Sequence, residues 1–236
     1  MTKLLVSVMN VEEAVCVLEA EADIVDLKNP IGGALGALPA DTVLEIVNAI
    51  KGRRQISATI GDIPMIASEI VHAVKKMAAV GVDIVKIGFF GHERHEECID
   101  ALKPIINSGV RIVAVLFSDQ HPNFDIVTQL SCAGFYGVML DTQEKTKGHL
   151  LDHFTLMQLN DFIMSSRSVD LKVGLAGSLR IEHVEDLADL NPDFLGFRGA
   201  LCEKNNRILD LDTNKLKAIK EVLHKCNNSV LEVDRC

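Results

Sequence analysis

Eight short apolar runs, each followed by a segment with helical spacing, constrain the fold of this chain more than any other feature. The runs cover residues 4–8, 22–28, 55–60, 83–89, 111–117, 137–141, 171–176 and 194–197. The helical segments fall at 11–18, 41–50, 64–80, 93–107, 123–132, 153–164, 181–190 and 213–225, with Asp41 as a candidate N-cap. Gly81, Gly109 and Gly134 close three of them in the manner of C-terminal stop residues. Strand-then-helix alternation of this kind requires parallel pairing with crossover helices. Eight units in 236 residues predict an α/β fold, a (β/α)8 TIM barrel, as one domain over residues 1–226. A doubly wound open sheet is the alternative. Residues 227–236 lack periodicity and are expected to form a loosely ordered tail.

Period-two alternation then assigns the strand faces. The chain is 48% apolar but has one Tyr and no Trp, so the core is expected to be Val, Ile, Leu and Ala. In a barrel, one face of each strand meets the helices and must be apolar, while the other looks into the lumen. Val25 and Leu27 then face the helices, which turns Asp26 and Lys28 inward, about 7 Å apart along the strand. By the same parity Val85, Ile87 and Phe89 face outward, and Lys86 and Gly88 inward. Ser57 and Thr59 point inward with Asp62 just beyond them, as do Met139 and Asp141, and Gly196 and Arg198. All the polar groups lie at the C-terminal ends of their strands, where barrel active sites are assembled. One inward ion pair reads as structural. Two lysines, an arginine and two aspartates at one mouth read as a site, because each buried charge must be compensated.

A lysine among apolar layers, with a second cation nearby, is pushed towards its neutral form. A neutral amine attacks carbonyls and forms a Schiff base, and a neighbouring carboxylate or second lysine can then move protons. The competing reading is that both lysines only bind anions, as in a phosphate-binding isomerase. Small residues after the last two strands, in Leu175-Ala176-Gly177-Ser178-Leu179 and Gly196-Phe197-Arg198-Gly199-Ala200, allow backbone N–H groups to wrap a phosphate. Ser57, Thr59, Asp62, Gly88, Gly177, Ser178, Arg198, Gly199 and Ala200 form the expected substrate- and phosphate-binding set. The loop from Gly32 and Gly33 to Gly36 reads equally as a second phosphate loop or as a lid.

Composition excludes several other classes. A net charge of −9 argues against nucleic-acid binding, which needs a basic face. No apolar stretch approaches the ~20 residues that span a bilayer. The six cysteines show no CxxC spacing, so reduced thiols in a cytoplasmic protein are expected. His92, His95, His149 and His153 do not combine with carboxylates into a metal-ligand set, and no metal is expected. Asp23 and Asp83 begin their strands at the opposite, stability face, and Cys202 near the mouth has no evident base. The apolar content points to a homo-oligomer.

The segments Asp26-Leu27-Lys28-Asn29-Pro30, Ser57-Ala58-Thr59-Ile60-Gly61-Asp62, Val85-Lys86-Ile87-Gly88, Leu140-Asp141-Thr142, Leu175-Ala176-Gly177-Ser178 and Arg198-Gly199-Ala200 resemble those of the (5-formylfuran-3-yl)methyl phosphate synthase family. The similarity runs in register over residues 4–200. It implies a (β/α)8 lyase of methanofuran biosynthesis that condenses two molecules of glyceraldehyde 3-phosphate into a furan aldehyde phosphate. Phosphate and water are released, with no metal or organic cofactor. By motif, the resemblance makes Lys28 the Schiff-base lysine and Lys86 the proton acceptor, with Asp26 and Asp141 assisting proton transfer. A further family lysine falls on Lys145, with Lys147 competing for that place. Methanogens and some methylotrophic bacteria use such carriers, so the host stays open. The alternatives are another Schiff-base aldolase acting on sugar phosphates, or a noncatalytic barrel that binds a phosphorylated metabolite.

Overall fold

The computed structural model describes residues 1–91 and 93–233; His92 and residues 234–236, Cys236 among them, lie outside the described residues. Eight parallel strands close on themselves in sequence order: β1 (Lys3–Val8), β2 (Ile24–Leu27), β3 (Gln55–Thr59), β4 (Ile84–Phe89), β5 (Arg111–Phe117), β6 (Gly137–Asp141), β7 (Lys172–Leu175) and β8 (Phe194–Phe197). Helices α1 (Val11–Glu19), α2 (Ala40–Ile50), α3 (Ala67–Ala79), α4 (His95–Asn107), α5 (Ile126–Cys132), α6 (Leu150–His153), α7 (Leu156–Ser168), α8 (Val184–Asp189) and α9 (Thr213–Val233) surround them. The architecture is the expected (β/α)8 barrel, and the open-sheet alternative is excluded by the pairing of β1 with β8.

Face parity divides the core in two. Val6, Val25, Leu27, Val85, Ile87, Phe89 and Leu140 belong to the large cluster between strands and helices. Leu5, Ile24, Ile84, Val113, Val115, Phe117, Met139 and Phe194 fill the lumen, from Ile24 and Ile84 at the N-terminal end to Phe117 beside Asp141 at the mouth. Burying this much branched apolar surface is the main stabilising term. The lower rim is stapled by aspartates that start strands and bond the neighbouring strand's backbone. Asp23 accepts from the Leu4 N–H at 2.8 Å, Asp83 from Ile56 at 2.8 Å and Asp193 from Val173 at 2.9 Å. Asp83 also pairs with Arg111 at 3.5 Å. Asp23 and Asp83 thus serve the barrel frame.

Several boundaries differ from the periodicity. Helix α2 takes Pro39 as its cap, and Asp41 lies in its first turn, where a carboxylate faces the positive helix end. Helix α3 starts at Ala67 rather than at 64, because the Ile66 N–H turns back onto the Pro64 carbonyl. Helix α5 starts at Ile126, after an Asx turn in which Asn123 accepts from the Asp125 N–H. The segment read as one helix at 153–164 breaks at extended Phe154, and Thr155 with Gln158 forms a capping box for α7. A 3₁₀ turn, Ile181–His183, replaces the start of the helix expected at 181. Of the tail expected at 227–236, residues 227–233 continue α9, and residues 234–236 lie outside the described residues. The Asn227 side chain bonds both the N–H and the carbonyl of Thr2, each at 2.9 Å, which ties the last helix to the first strand.

The five described cysteines form no disulfide. No helix among the described residues is long and apolar enough to cross a membrane.

Within the lumen, a Cβ on Gly174 of β7 would run into the ring of Phe194 on β8. Gly174→Ala is therefore expected to lower the unfolding free energy by about 1–3 kcal/mol. Urea denaturation measures it, and an unchanged midpoint would show that the Phe194 ring does not fill this space.

Candidate active site

At the C-terminal mouth, strand register builds the first charge network. Ser7 on β1 and Ser57 on β3 lie beside Asp26 on β2. Their hydroxyls donate to the two Asp26 oxygens, Ser7 at 2.8 Å and Ser57 at 2.6 Å. Lys86, from β4, sits 2.6 Å from Asp26 Oδ1. Both charges are buried, and together with two hydroxyls they satisfy the carboxylate in full. Ser7 was not singled out in the sequence, although its parity in β1 places it inward beside Asp26.

The second network centres on Asp141, the last residue of β6. Lys28 Nζ lies 3.2 Å from Asp141 Oδ2, and Lys145 Nζ bonds Oδ1. The Thr142 N–H donates to Oδ1 at 2.8 Å, and Lys145 also reaches the Thr142 hydroxyl at 3.3 Å. The loop that carries Lys145 is held from beneath. Asp119 accepts from the N–H groups of Gln143 and Glu144 at 2.7 and 2.8 Å, and the Ser178 hydroxyl donates to the Lys145 carbonyl at 3.2 Å. Lys147 pairs instead with Glu144 at the surface, so Lys145 is the loop lysine that enters the site.

Burial sets the protonation of this group. It pushes the Lys28 amine below the ordinary lysine value, against the attraction of Asp141 and with help from the Lys86 charge. It also pushes Lys145 down to about 7, with Asp141 opposing and Lys28 adding to the shift. Burial alone would raise Asp141. The charges of Lys145 and Lys28 and the bonds from Lys145 and Thr142 outweigh it and hold the carboxyl well below the usual range. Asp141 is thus a fixed anion shared by two amines.

Four of the expected ligand residues, Asp62, Thr59, Gly88 and Ser57, are engaged within the protein. Asp62 accepts from the N–H groups of Ala34 and Leu35 at 2.7 and 2.6 Å. The Thr59 hydroxyl donates to the Gly36 carbonyl at 2.9 Å, and Asn29 caps the Ile31 N–H at 3.0 Å. The loop after Lys28 is therefore a fixed wall. Four of its N–H groups, those of Ile31, Gly32, Ala34 and Leu35, are already bonded, which removes its role as a second phosphate loop. Gly33, at φ +115°, lies so close to Asp62 that a side chain there would displace the carboxylate. Gly88 leaves room for Leu35 and Phe90 at the mouth's apolar wall. Ser57 acts on Asp26, as described above.

Arg198 lines the mouth and is likewise engaged within the protein. Its guanidinium does not reach out for an anion but forks onto Glu13 of α1, at 2.6 and 3.0 Å. It also donates to the carbonyls of Ser7, Arg207 and Leu209. Gly177, Ser178, Gly199 and Ala200 do line the mouth, a cavity of about 660 Å³ shared with Asp26, Lys28, Lys86, Asp141 and Lys145. Arg207, His149, Asp152 and Arg180 line it too. Arg207 gave no signal in the sequence, because it sits in an irregular segment between β8 and α9. Burial pushes the Cys202 thiol up to about 11, which makes it inert as a nucleophile at neutral pH. Among the described residues, no group of three or more His, Cys, Asp or Glu side chains is placed to hold a metal ion.

Comparison with known proteins decides the lineage. The family profile described as 4-HFC-P synthase matches residues 4–220. The chain belongs to the 4-HFC-P synthase family. A (5-formylfuran-3-yl)methyl phosphate synthase of Methanopyrus kandleri is 34% identical, covering 87% of this chain and 91% of its own. The enzyme of the same name from Archaeoglobus fulgidus is also 34% identical, over 85% of this chain and 91% of its own. Among solved structures, phosphoribosyl anthranilate isomerase from Thermus thermophilus superposes with a TM-score of 0.67 at 13% identity, covering 95% of this chain and 99% of that one. At that identity it shares the barrel alone.

The environment of Lys145 predicts its reactivity. Competitive acetylation read by mass spectrometry is expected to give this amine a midpoint near pH 7, about where burial places it. Because Asp141 raises the Lys145 value, Asp141→Asn should move the midpoint lower still. A midpoint at the ordinary lysine value, or one that Asp141→Asn raises, would contradict the assignment.

Proposed function

We propose that this protein is a (5-formylfuran-3-yl)methyl phosphate synthase in methanofuran biosynthesis, joining two triose phosphates through a Schiff base on Lys28. The observation that carries the reading is the buried Lys28 amine, held by Asp141 and shared with Lys145, in a cavity that also holds the Lys86–Asp26 pair. No ordinary structural role requires three lysines and two aspartates around one cavity.

The chemistry follows from these distances. Lys28 Nζ adds to the carbonyl carbon of the first triose phosphate, water departs, and a protonated imine forms. Its positive charge stands where the ammonium stood, 3.2 Å from Asp141 Oδ2, so Asp141 stabilises it without rearrangement. A proton then leaves the carbon next to the imine and an enamine results. Lys86 accepts that proton after passing its own to Asp26, 2.6 Å away. The enamine carbon attacks the carbonyl of the second triose phosphate and forms the carbon–carbon bond. Lys145, whose amine titrates at about 7, supplies the proton to the resulting alkoxide. Hydrolysis of the imine frees Lys28. Ring closure and elimination finish the furan, and atom balance from two trioses requires loss of one phosphate and two waters.

Ser57, Thr59 and Asp62 support this reading from outside the reacting groups, by fixing Asp26 and the wall beside Lys28. Gly177, Ser178, Gly199 and Ala200 take one phosphate. The reading retains a cytoplasmic homo-oligomer, with the exposed Met157 and Met164 of α7 as apolar contact surface.

Incubation with glyceraldehyde 3-phosphate alone is expected to yield a furan aldehyde absorbance together with free phosphate. Lys28→Ala should reduce both to background while its thermal melt stays cooperative. Turnover retained by Lys28→Ala, or aldol cleavage of sugar phosphates without any furan, would overturn the assignment.

A further inference from the structure

The cavity is lined by one more basic side chain than its ion pairs account for. Of the lysines and arginines that line it, Lys28 and Lys145 share Asp141, Lys86 has Asp26, Arg198 has Glu13 and Arg180 has Glu182. Among the described residues lining it, Arg207 is the one such group with no carboxylate within ion-pair distance. Its Nε is buried and has no hydrogen-bond partner at all. Its Nη2 donates to the Gly33 carbonyl at 3.0 Å, which bridges from the segment after β8 to the wall beside Lys28. A guanidinium left short of partners in a cleft carries a desolvation cost that a bound anion removes.

The frame around it is built to hold this side chain in place. Arg198 Nε donates to the Arg207 carbonyl at 2.8 Å, and its Nη2 donates to the Leu209 carbonyl at 3.1 Å. Glu13, which holds Arg198, also accepts from the Met9 N–H at 2.8 Å, so the clamp is anchored to the end of β1. On the far side, Gly33 is fixed by Asp62 through its neighbours Ala34 and Leu35. The residues that resemble phosphate ligands by motif, Arg198 and Asp62, thus brace the two loops between which Arg207 is held. The Arg207 charge is close enough to act on Lys28, Lys145 and Asp141.

We infer that Arg207 is a phosphate-recognising residue of this site, a second anion subsite beside that of Gly177, Ser178, Gly199 and Ala200, with Arg198 and Glu13 as the positioning pair that aims it. A guanidinium offers several donors in a planar fork that matches a phosphate dianion, which a lysine does not. The inference rests on the reading that the substrate is phosphorylated, and it supplies what that reading needs for two triose phosphates held at once.

Glycerol 3-phosphate, which has the phosphate but no carbonyl, separates binding from the lysine chemistry. Isothermal titration calorimetry of the full chain is expected to find it bound, and Arg207→Gln is expected to raise the Kd by roughly ten- to a hundredfold. Arg207→Lys keeps the charge without the fork and should fall between the two. Thermal melts establish that each variant is folded, and if Arg207→Gln is not, Arg207→Lys carries the test with a Kd above the wild-type value. Equal affinities in wild type and variant, or no binding by the wild type, would overturn the inference. A loss of phosphate affinity in a protein that makes no furan would leave Arg207 standing and sink the synthase reading. Furan synthesis with unchanged phosphate affinity in Arg207→Gln would do the reverse.

Discussion

A single carboxylate shared between two amines, Asp141 between Lys28 and Lys145, is the interaction on which the mouth of this barrel depends. Two buried ammonium groups with one counter-ion cannot both keep their full proton affinity. Burial depresses both, and the shared anion limits how far each falls. The other lysine in the lumen is treated differently. Lys86 has Asp26 to itself, and Asp26 is further satisfied by two serine hydroxyls. One barrel therefore provides lysines in two settings, two that share one carboxylate and one with a carboxylate of its own. This division of labour is what nucleophilic catalysis at neutral pH requires of side chains that are chemically identical.

Much of the remaining polar structure supports that arrangement. Thr59, Asp62 and Asn29 spend their hydrogen bonds on the loop that follows Lys28, and Asp119, Ser118 and Ser178 on the segment around Asp141 and Lys145. Such supporting bonds hold the charged side chains of the mouth to one geometry. The Arg198–Glu13 pair does the same for the segment after β8. At the opposite rim, Asp23, Asp83 and Asp193 staple neighbouring strands, so the charged residues of the two rims serve different ends.

The barrel was legible because alternation in the sequence is a direct record of burial. Face parity alone placed Asp26, Lys28, Lys86 and Asp141 in the lumen, since one-residue errors in register would turn apolar side chains to the wrong side. What parity does not encode is the partner of a long side chain. Arg198 points to the mouth by register, yet it folds back onto Glu13, a residue 185 positions away whose place is fixed only by tertiary packing. Asp62 looks like a ligand at a strand end, but its bonds go to backbone groups of a loop that becomes adjacent only when the barrel closes. Arg207 belongs to a segment without regular structure, where no periodicity exists to read. The helical continuation at 227–233 was not legible either, because Asn227-Asn228-Ser229 interrupts the apolar pattern, and α9 runs on with Asn227 bonded to Thr2.

The central claim is that Lys28, and no other lysine of the mouth, forms the covalent bond to substrate. It is tested most directly by adding borohydride to the protein during reaction with glyceraldehyde 3-phosphate and mapping the reduced adduct by peptide mass spectrometry. The account predicts one adduct, a secondary amine carrying the three-carbon skeleton on Lys28. An adduct on Lys86 or Lys145 instead, or none during active turnover, would contradict it.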